Sequence, residues 1–431
     1  AMTGRPPISH GVRPVLLAAL VTLAPAVALP AAAAPAAAAP AAATGEVVVT
    51  WNRNAQLSIW DVAREQPQVQ SRSFAMVHGA VYDAVNAIAG TPYQPYLVAP
   101  RATGTESVAA AVATATHRVL LSMYPQQQTA LQERYDLFLA TVPAGRSKRG
   151  GIAVGALAAA AMIESRRDDG AFGADTWVVG DQPGQWRPTP PAFASDTAWV
   201  GHVRPFVLPS ASMFRTAGPP ALTSPEYARD VNEVRAVGGR SSTVRTADQT
   251  QAALWWHDRH LTEWEIRRQL AGTRHLTAVA AARMFAMASI AEADAAIACF
   301  DEKAAWSRWR PVTAIQLADT DGNPDTAAEP DWLPLLVTPA HPDYTSGHTC
   351  RTAATMGALA AFFHRDTIAF SAYSADSGTT RSFTSFSQAV TEVIDARVWG
   401  GIHTRSADVA GATIGVGVTR YLLAHAFQPS R

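Results

Sequence analysis

The sequence predicts an all-α protein in which helical bundles pack together. From about Gly45 onwards, apolar residues recur at the three- and four-residue spacings that are typical of helices. Few stretches alternate polar and apolar residues as strands do, and no repeat of fixed length is present. Because 48% of the 431 residues are apolar and only 16% are charged, the chain can bury a large core.

The N-terminal segment, residues 1–44, differs in composition from the rest of the chain. Arg5 and Arg13 precede the apolar run VLLAALVTLAPAVAL, and small A-x-A sequences follow, an order typical of a cleavable secretory signal. Two prolines interrupt this run, which disfavours the alternative, a membrane anchor. The PAAAAPAAAAPAAA tract predicts a disordered lead-in. We therefore expect a secreted protein in which residues 45–431 form a single all-helical domain.

The overall charge limits the kinds of partner. Thirty-five basic and thirty-five acidic residues give no net charge. A nucleic-acid or membrane-surface binder normally carries an excess of basic residues. We therefore expect no nucleic-acid partner and, once the signal is removed, no membrane association.

Helical periodicity accounts for most of the chain after the lead-in. In residues 71–88, for example, Phe74, Val77, Val81 and Val85 fall on one helical face. The same reasoning predicts helices over residues 106–123, 126–141, 148–167, 225–236, 247–270, 275–309, 349–364, 384–399 and 405–426. The stretch 172–224, rich in proline, tryptophan and glycine, is too irregular for helix and too aromatic to be mobile, so it predicts an ordered cover.

The first candidate functional segment is KAAWSRWRP. Lys303 and Arg310 are seven residues apart, which on one helix places both side chains on the same side. Pro311 disfavours helix at the preceding residue and so places the Arg310 guanidinium near a helix end. A solvated basic face is the alternative interpretation. Trp306 and Trp309 favour a buried position for these cations.

The second segment, HPDYTSGHTC, runs directly into an apolar predicted helix. Helix N-termini present unpaired N–H groups and partial positive charge, which favours an anion. Ser346 can cap the helix or donate to an anion, and Gly347 allows the backbone to approach it closely. His348 adds a group that titrates near neutral pH. Taken alone, a capping serine beside a chance histidine explains this pattern as well.

The third segment is ARVWGGIHTR. Arg397 and His403 are six residues apart, which would place them on different faces of an unbroken helix. Gly400 and Gly401 are expected to end the helix and to let the chain turn His403 back towards the arginine. A helix C-terminus with an ordinary histidine is the alternative.

In combination, Lys-x6-Arg-Pro, Ser-Gly-His and Arg-x5-His, in this order, resemble the signature of a known superfamily. It joins vanadium-dependent haloperoxidases to type 2 phosphatidic-acid phosphatases and bacterial class A acid phosphatases. The motif match runs from Lys303 to His403, and the site is expected within residues 296–426. A weaker likeness to an exported actinobacterial haloperoxidase-like branch extends through GQWRPTPP, FRTAGPPAL and VHGAVYDAVNAI.

The resemblance implies an oxyanion cage that would hold vanadate, or phosphate in the phosphatases. The implied cage residues are Lys303, Arg310, Ser346, Gly347, Arg397 and His403. Within it, His403 would bind vanadium or attack phosphorus, His348 would transfer protons, and Lys303 would polarise bound peroxide. The charge pattern agrees, because three clustered cations repel one another unless a multiply charged anion neutralises them.

The superfamily contains more than one chemistry. The preferred hypothesis is a haloperoxidase that uses hydrogen peroxide and a halide, with a small organic acceptor as a further partner. The alternatives are an exported acid phosphatase acting through a phosphohistidine and a non-catalytic oxyanion binder. His341 occupies a position where similar algal bromoperoxidases carry a histidine, which favours bromide or iodide over chloride. A histidine bonded to Asp343 or to a loop carbonyl is the alternative.

The sequence departs from the family pattern at three positions. Thr345 replaces a proline, Ala396 replaces a serine, and Ala407 stands where an aspartate commonly follows the final histidine. Asp408 is therefore the candidate for orienting His403. Asp248 is the candidate for a buried carboxylate that orients the guanidinium of the third segment.

Two cysteines, Cys299 and Cys350, flank the first and second segments. If these segments share one site, the thiols are neighbours. The sequence leaves both a disulfide and a pair of free thiols open, because an exported protein permits either.

Overall fold

A computed structural model describes residues 43–258 and 261–430 of the chain. Its α-helices are, in chain order, α1 Glu46–Gln56, α2 Pro67–Ile88, α3 Val108–Met123, α4 Gln128–Thr141, α5 Arg146–Ser165, α6 Pro225–Val237, α7 Ala247–Trp256, α8 Leu261–Thr273, α9 Ala278–Trp306, α10 Pro311–Gln316, α11 Gly347–Phe362, α12 Phe386–Trp399 and α13 Arg405–His425. The strands β1 Phe370–Ser374 and β2 Thr379–Phe383 pair as an antiparallel hairpin. The predicted all-α class is confirmed.

Helix α9 is the central element of the fold. It is apolar on all sides, so it can be surrounded by other helices, and nearly all of its residues are buried. Helix α2 packs along it from the N-terminal half, and α11 and α13 pack on it from the C-terminal half. Helices α3 and α5 complete a bundle with α2, and one continuous hydrophobic cluster joins the two halves.

Helices α11 and α13 approach each other closely, which fixes the position of the α11 N-terminus. A Cβ atom on Gly415 of α13 would lie 2.3 Å from the carbonyl oxygen of Cys350 in α11. Only glycine permits this separation, because a larger side chain would overlap the α11 backbone. The close packing places the first turn of α11 beside the loop that joins α12 to α13.

The long connection between α5 and α6 forms an ordered layer over this end of the molecule. It contains the 3-10 turns Ala198–His202 and Ala211–Phe214 but no α-helix. Trp177, Trp186 and Trp199 in this connection are buried. The predicted ordered cover is therefore confirmed, because burial of large aromatic side chains offsets the entropy of ordering an irregular segment.

The observed elements differ from the prediction mainly where they are short. Helix α1, helix α10 and the hairpin were not predicted, and the segment predicted as one helix over 247–270 contains α7 and α8. Helix α10 and the two strands contain only six and five residues, too few for a clear periodicity. No helix of the described residues is long and apolar enough to cross a membrane.

The predicted secretory signal lies outside the described residues. The described residues form one compact unit. Ala43 and Thr44, assigned from sequence to the lead-in, already contact α9, since Ala43 accepts a hydrogen bond from Ala278 and Thr44 forms a bridge with Thr277.

Candidate active site

The N-terminus of α11 forms one side of the candidate site. Ser346 is the N-cap residue, but its side chain makes no capping hydrogen bond, and its buried hydroxyl has no hydrogen-bond partner among the described residues. Its backbone N–H donates to Ala407 at the start of α13. The capping role considered from sequence is thus not observed. The hydroxyl instead lies near the carboxyl group of Asp408.

Lys303 and Arg310 reach the site from two different elements. Helix α9 ends at Trp306, where Ser307 adopts a left-handed conformation with φ 40°, and Arg310 is the N-cap residue of α10. The prediction that both cations lie on one helix is therefore wrong. Both side chains are nevertheless fully buried. The Lys303 ammonium donates to the carbonyl oxygens of Pro342 and Asp343, which ties α9 to the loop before α11.

Arg310 connects the two histidines that flank it. Its Nη1 donates to Nε2 of His403 at 3.1 Å and to the carbonyl oxygen of Ile402 at 2.6 Å. Its Nη2 donates to Nδ1 of His341 at 3.0 Å. An arginine cannot accept a hydrogen bond, so both imidazoles offer a lone pair to it. This guanidinium therefore holds both rings in neutral, accepting forms.

Asp343 is the carboxylate that orients His403. Its Oδ1 lies 2.6 Å from Nδ1 of the imidazole, and its Oδ2 accepts a hydrogen bond from the Thr404 hydroxyl at 2.7 Å. A hydrogen on Nδ1 leaves the lone pair on Nε2. The prediction that Asp408 orients this histidine is wrong, because the loop before α11 brings a different carboxylate to the ring.

Arg397 is the cation with the most unused donors. It is fully buried at the end of α12, and none of its three guanidinium nitrogens has a hydrogen-bond partner among the described residues. Asp408 lies near it, and this charge opposes the lowering of the arginine pKa. Burial raises the pKa of that carboxyl group well above its usual value, and the nearby Ser346 hydroxyl opposes the rise. A buried guanidinium with free donors is a strong indication of a bound anion.

His348 begins the first turn of α11 and is partly exposed. Its Nε2 lies 3.0 Å from the carbonyl oxygen of Trp256 at the end of α7. A carbonyl can only accept, so Nε2 carries a hydrogen and the neutral ring has its lone pair on Nδ1. This contact fixes the position of the imidazole at the cavity.

A single cavity joins most of these groups. Its volume is about 280 Å³, and Gly347, His348, Arg397, His403 and His341 line it. Residues of the ordered cover, from Thr189 to Asp196, line its mouth together with the start of α2. Three predicted cage residues, Lys303, Arg310 and Ser346, do not line the cavity. Arg310 contacts both inner histidines from behind its wall, and Lys303 holds the backbone of the loop before α11.

Burial and mutual repulsion shift the pKa values of the buried groups. Burial, followed by the charge of Arg310, lowers the pKa of Lys303 to about 7. Burial and the surrounding cations lower the pKa of His403 and of His341 well below the usual value, so both rings are neutral near pH 7. Burial raises the pKa of Asp343 to about 6, against the opposing charge of Arg310. The cationic groups thus carry an electrostatic cost that an anion would relieve.

The last predicted site residue, Asp248, lies elsewhere. It is in the first turn of α7, its side chain is 71% exposed, and it pairs with Arg381 of the hairpin at 2.9 Å. The prediction that it is a buried partner of Arg397 is wrong. It rested on approximate position in the sequence, which does not fix the direction of a side chain.

The two cysteines are neighbours behind the cage. Both thiols are free and buried. Sγ of Cys299 lies 3.0 Å from the Thr345 hydroxyl, and Sγ of Cys350 lies 3.9 Å from the same oxygen. The hydroxyl that replaces the family proline therefore fills the space between α9 and α11.

Sequence reasoning missed two residues of the site. Asp343 was considered only as a partner of His341, although its place in HPDYTSGH, next to the cage serine, could have suggested a wider role. Arg351, which also lines the cavity, was not considered. Its spacing of three residues from His348 on a predicted helix was the available signal, since such residues share a face.

Comparison with known proteins agrees with this geometry. Residues 283–430, about a third of the chain, match the family model described as the VCPO second helical-bundle domain. No curated protein matches the sequence.

Solved structures share the fold over nearly the whole chain. One, described as the first bacterial vanadium-dependent iodoperoxidase, is 26% identical, with a TM-score of 0.78 over 91% of this chain and 99% of that one. A holo-type bacterial vanadium-dependent chloroperoxidase is 17% identical, with a TM-score of 0.67 over 84% and 92% of the two chains. The resemblance to the haloperoxidase superfamily that the three motifs predicted is confirmed, and the fold is that of the vanadium haloperoxidases.

Proposed function

We propose that this protein is a vanadate-dependent haloperoxidase that oxidises bromide or iodide with hydrogen peroxide. The overall reaction is H2O2 + X⁻ + H⁺ → HOX + H2O, in which the halide loses two electrons and the peroxide gains them. The observation that carries the proposal is the convergence of Arg397, His403, Gly347 and His348 on one cavity. The likeness to the bacterial iodoperoxidase structure supports the choice of chemistry.

The residues of the cavity fit vanadate. Arg397 lines the cavity and supplies three buried donors without partners among the described residues. The N–H groups at the start of α11 add partial positive charge. His403 presents an Nε2 lone pair, the form in which imidazole binds a metal. An oxyanion bound beside this ring would accept the hydrogen bond that Arg310 now donates to Nε2. Nε2 would then be able to bind the central atom of the oxyanion.

Each residue then has a definite task in the reaction. Bound vanadate would supply a Lewis acid that activates peroxide without changing its own oxidation state. Asp343 fixes the tautomer of His403 through Nδ1. His348 would accept a proton from incoming peroxide and return one to the departing oxygen. Lys303 would place a positive charge behind the reacting oxygens, from the position that its two carbonyl contacts define.

The halide preference is part of the same proposal. His341 lines the cavity and is held neutral by its hydrogen bond from Arg310. A neutral ring with a polarisable π-system beside a cation suits large, weakly hydrated halides. Bromide and iodide are therefore proposed over chloride.

One observation favours a second function. A neutral histidine held through Nδ1 by a carboxylate, with Nε2 facing an anion site, is also the arrangement of an activated nucleophile. The same cavity would then hydrolyse phosphomonoesters through a phosphohistidine, with His348 protonating the leaving alcohol. An oxyanion binder without activity would need the cations but neither histidine.

A pair of assays distinguishes these functions. Phosphate-free protein is supplied with vanadate, peroxide and bromide, and bromination of phenol red is followed; p-nitrophenyl phosphate hydrolysis is measured without vanadate. The proposal predicts vanadate-dependent bromination and hydrolysis that is slow by comparison. Brisk hydrolysis inhibited by vanadate, without bromination, would establish the phosphatase, and neither activity with retained vanadate affinity would establish the binder.

Export remains a prediction, since it depends on residues outside the described part of the chain. We propose that the protein is secreted and that cleavage falls among the A-x-A sites. Expression of residues 1–431 in an actinobacterial host, followed by N-terminal sequencing of the protein in the medium, tests this. Protein that stays in the cells with residues 1–30 intact would contradict it.

A further inference from the structure

Cys299 and Cys350 are two buried thiols that the proposed reaction does not use. Cys299 lies in α9 and Cys350 lies near the start of α11, and both are fully buried. Sγ of Cys299 lies 3.0 Å from the hydroxyl oxygen of Thr345, and Sγ of Cys350 lies 3.9 Å from the same oxygen. Both sulfurs therefore contact one side chain where the two helices meet.

The two thiols differ in their surroundings. Burial raises the pKa of Cys350 well above its usual value, and the neighbouring Cys299 thiol raises it further. Burial also acts on Cys299, but the Cys350 thiol and the charge of Lys303 outweigh it, so the pKa of Cys299 is lowered. Because the thiolate is the reactive form of cysteine, Cys299 is the better nucleophile of the pair.

Neighbouring thiols can bind a metal ion or be oxidised together. A soft metal ion would need further ligands, which in proteins are usually cysteine or histidine side chains. No group of three or more histidine, cysteine, aspartate or glutamate side chains in the described part of the chain is arranged to hold a metal ion. Oxidation is therefore the chemistry that this pair supports.

The thiols lie directly behind the wall of the cavity. Phe300 and Arg351, which follow the two cysteines in sequence, both line it, as does Gly347. A Cβ atom on Gly347 would lie 3.5 Å from the ring of Phe300, so α9 and the start of α11 are in contact at this wall. A small, neutral oxidant that enters the cavity has only this one layer of residues to pass.

We propose that Cys299 and Cys350 are a peroxide-sensitive pair that forms a disulfide between α9 and α11. Sγ of Cys299 attacks one oxygen of hydrogen peroxide; an S–O bond forms, the O–O bond breaks, and the hydroxide that leaves takes up the thiol proton as water. Sγ of Cys350 then attacks the sulfenic acid; an S–S bond forms, the S–O bond breaks, and a second water leaves with the second thiol proton. The two sulfurs lose two electrons in total, and the peroxide gains them.

The disulfide would act as a clamp on the candidate active site. Lys303 lies one turn after Cys299 in α9, and Gly347 lies one turn before Cys350 in α11. A bond between the cysteines would close the chain from residue 299 to residue 350 into a loop. Such a loop stabilises the folded state mainly by restricting the unfolded chain. Exposure to peroxide would thus make the protein more resistant to unfolding.

Peptide mapping of the wild-type protein tests the modification. The protein is reduced, freed of reductant and treated with excess hydrogen peroxide without vanadate or halide; free thiols are then alkylated and the protein is digested without reduction. We expect a peptide that joins Cys299 to Cys350. Recovery of both cysteines as alkylated thiols, while the same treatment oxidises them in urea, would overturn the proposal. Sulfinic or sulfonic acid at either cysteine without the cross-link would also overturn it.

Single variants test the order of the two steps. In Cys350→Ser the reaction should stop at a sulfenic acid on Cys299, which dimedone traps. In Cys299→Ser the remaining thiol should react with peroxide at least about tenfold more slowly than the wild type. Equal rates in the two variants would overturn the assignment of Cys299 as the attacking thiol. If neither variant folds, the wild-type peptide map still decides whether the disulfide forms.

Thermal unfolding tests the clamp. Peroxide treatment should raise the Tm of the wild type by at least about 3 °C and leave the Tm of Cys350→Ser within about 1 °C of its untreated value. A disulfide that forms without raising the Tm would overturn the clamp. None of these measurements uses halide oxidation, so a disulfide in protein that shows no bromination would support this proposal and refute only the proposed function.

Discussion

Asp343 accepts the Nδ1 hydrogen of His403 at 2.6 Å, and this contact decides which imidazole nitrogen faces the anion site. The sequence motifs identified the histidine but assigned its orientation to Asp408, because the family pattern places a carboxylate shortly after the histidine. Tertiary structure supplies a carboxylate from sixty residues earlier instead. The spacing of the motifs predicted which residue types form the site. It could not predict which carboxylate contacts the histidine, because that depends on the conformation of the loop before α11.

Asp343→Asn tests that contact. The variant keeps the shape of the side chain but removes the charge that favours a hydrogen on Nδ1. We expect vanadate affinity to fall about 10- to 100-fold, the usual range for removing such a supporting carboxylate, measured by fluorescence titration. Asp248→Asn is the matched control, because that carboxylate is exposed and pairs with Arg381 far from the site. Equal affinities for both variants and wild type would contradict the assigned role.

His348→Ala separates proton transfer from binding. The imidazole lines the cavity, and the proposed function assigns it proton transfer and assigns oxyanion binding to Arg397 and His403. We expect kcat to fall by about 10²- to 10⁴-fold, the usual contribution of a general acid–base group, with vanadate Kd within about threefold of wild type. Unchanged turnover in steady-state bromination would remove the acid–base assignment.

Lys303 should make oxyanion binding depend on pH. Its pKa of about 7 in the folded chain lies below the usual value, and a bound dianion would raise it again. Above about pH 7 the lysine must therefore take up a proton when the anion binds. The affinity for the anion then falls as pH rises, by up to about tenfold per pH unit, and it is constant below about pH 7.

Sulfate is a suitable probe for this dependence, because its charge is constant between pH 6 and pH 9. Calorimetric titration of the wild type should show the decline, and Lys303→Met should show a weaker affinity with a flatter profile. A wild-type affinity that is constant over this range would contradict the role given to the lysine.

At the scale of elements, the turn between α12 and α13 carries His403 to the cavity. Helix α12 ends at Trp399, and Gly401 follows with φ 77°, which returns the chain towards α11 as the Gly-Gly sequence predicted. The helices of fourteen or more residues could be predicted closely, because that length gives several turns of a clear period. The break after α9 could not, since the pattern around Ser307 is compatible with helix.

Gly401→Ala tests the importance of this turn. A Cβ atom there would lie 2.3 Å from the carbonyl oxygen of Gly238, in addition to the unfavourable positive φ. We expect a loss of about 2 kcal/mol or more in the free energy of unfolding, measured with urea, together with weaker vanadate binding. Gly378→Ala in the hairpin has a positive φ but no neighbour within 4 Å, so it should cost only about 1 kcal/mol. Equal costs would show that the close approach to Gly238 is unimportant.

At the scale of the whole molecule, the fold brings together segments that are far apart in the chain. Helix α9 supplies Lys303, the N-terminus of α11 supplies Gly347 and His348, and the α12–α13 region supplies Arg397 and His403. The N-terminal half contributes the cover and the start of α2 at the cavity mouth. The order of the three motifs alone predicted that the residues from α9, α11 and the α12–α13 region would meet. The cover was predicted only as an ordered segment, because no local pattern fixes where an irregular segment packs.

The central claim is that one cavity binds vanadate through Nε2 of His403. The most direct measurement is a crystal structure of the protein loaded with vanadate, with the vanadium located by its anomalous signal. We predict one vanadium per chain, bonded to Nε2 of His403, with its oxygens in contact with the Arg397 guanidinium and the N-terminus of α11. Vanadium at any other place, or none in this cavity at saturating vanadate, would contradict the account.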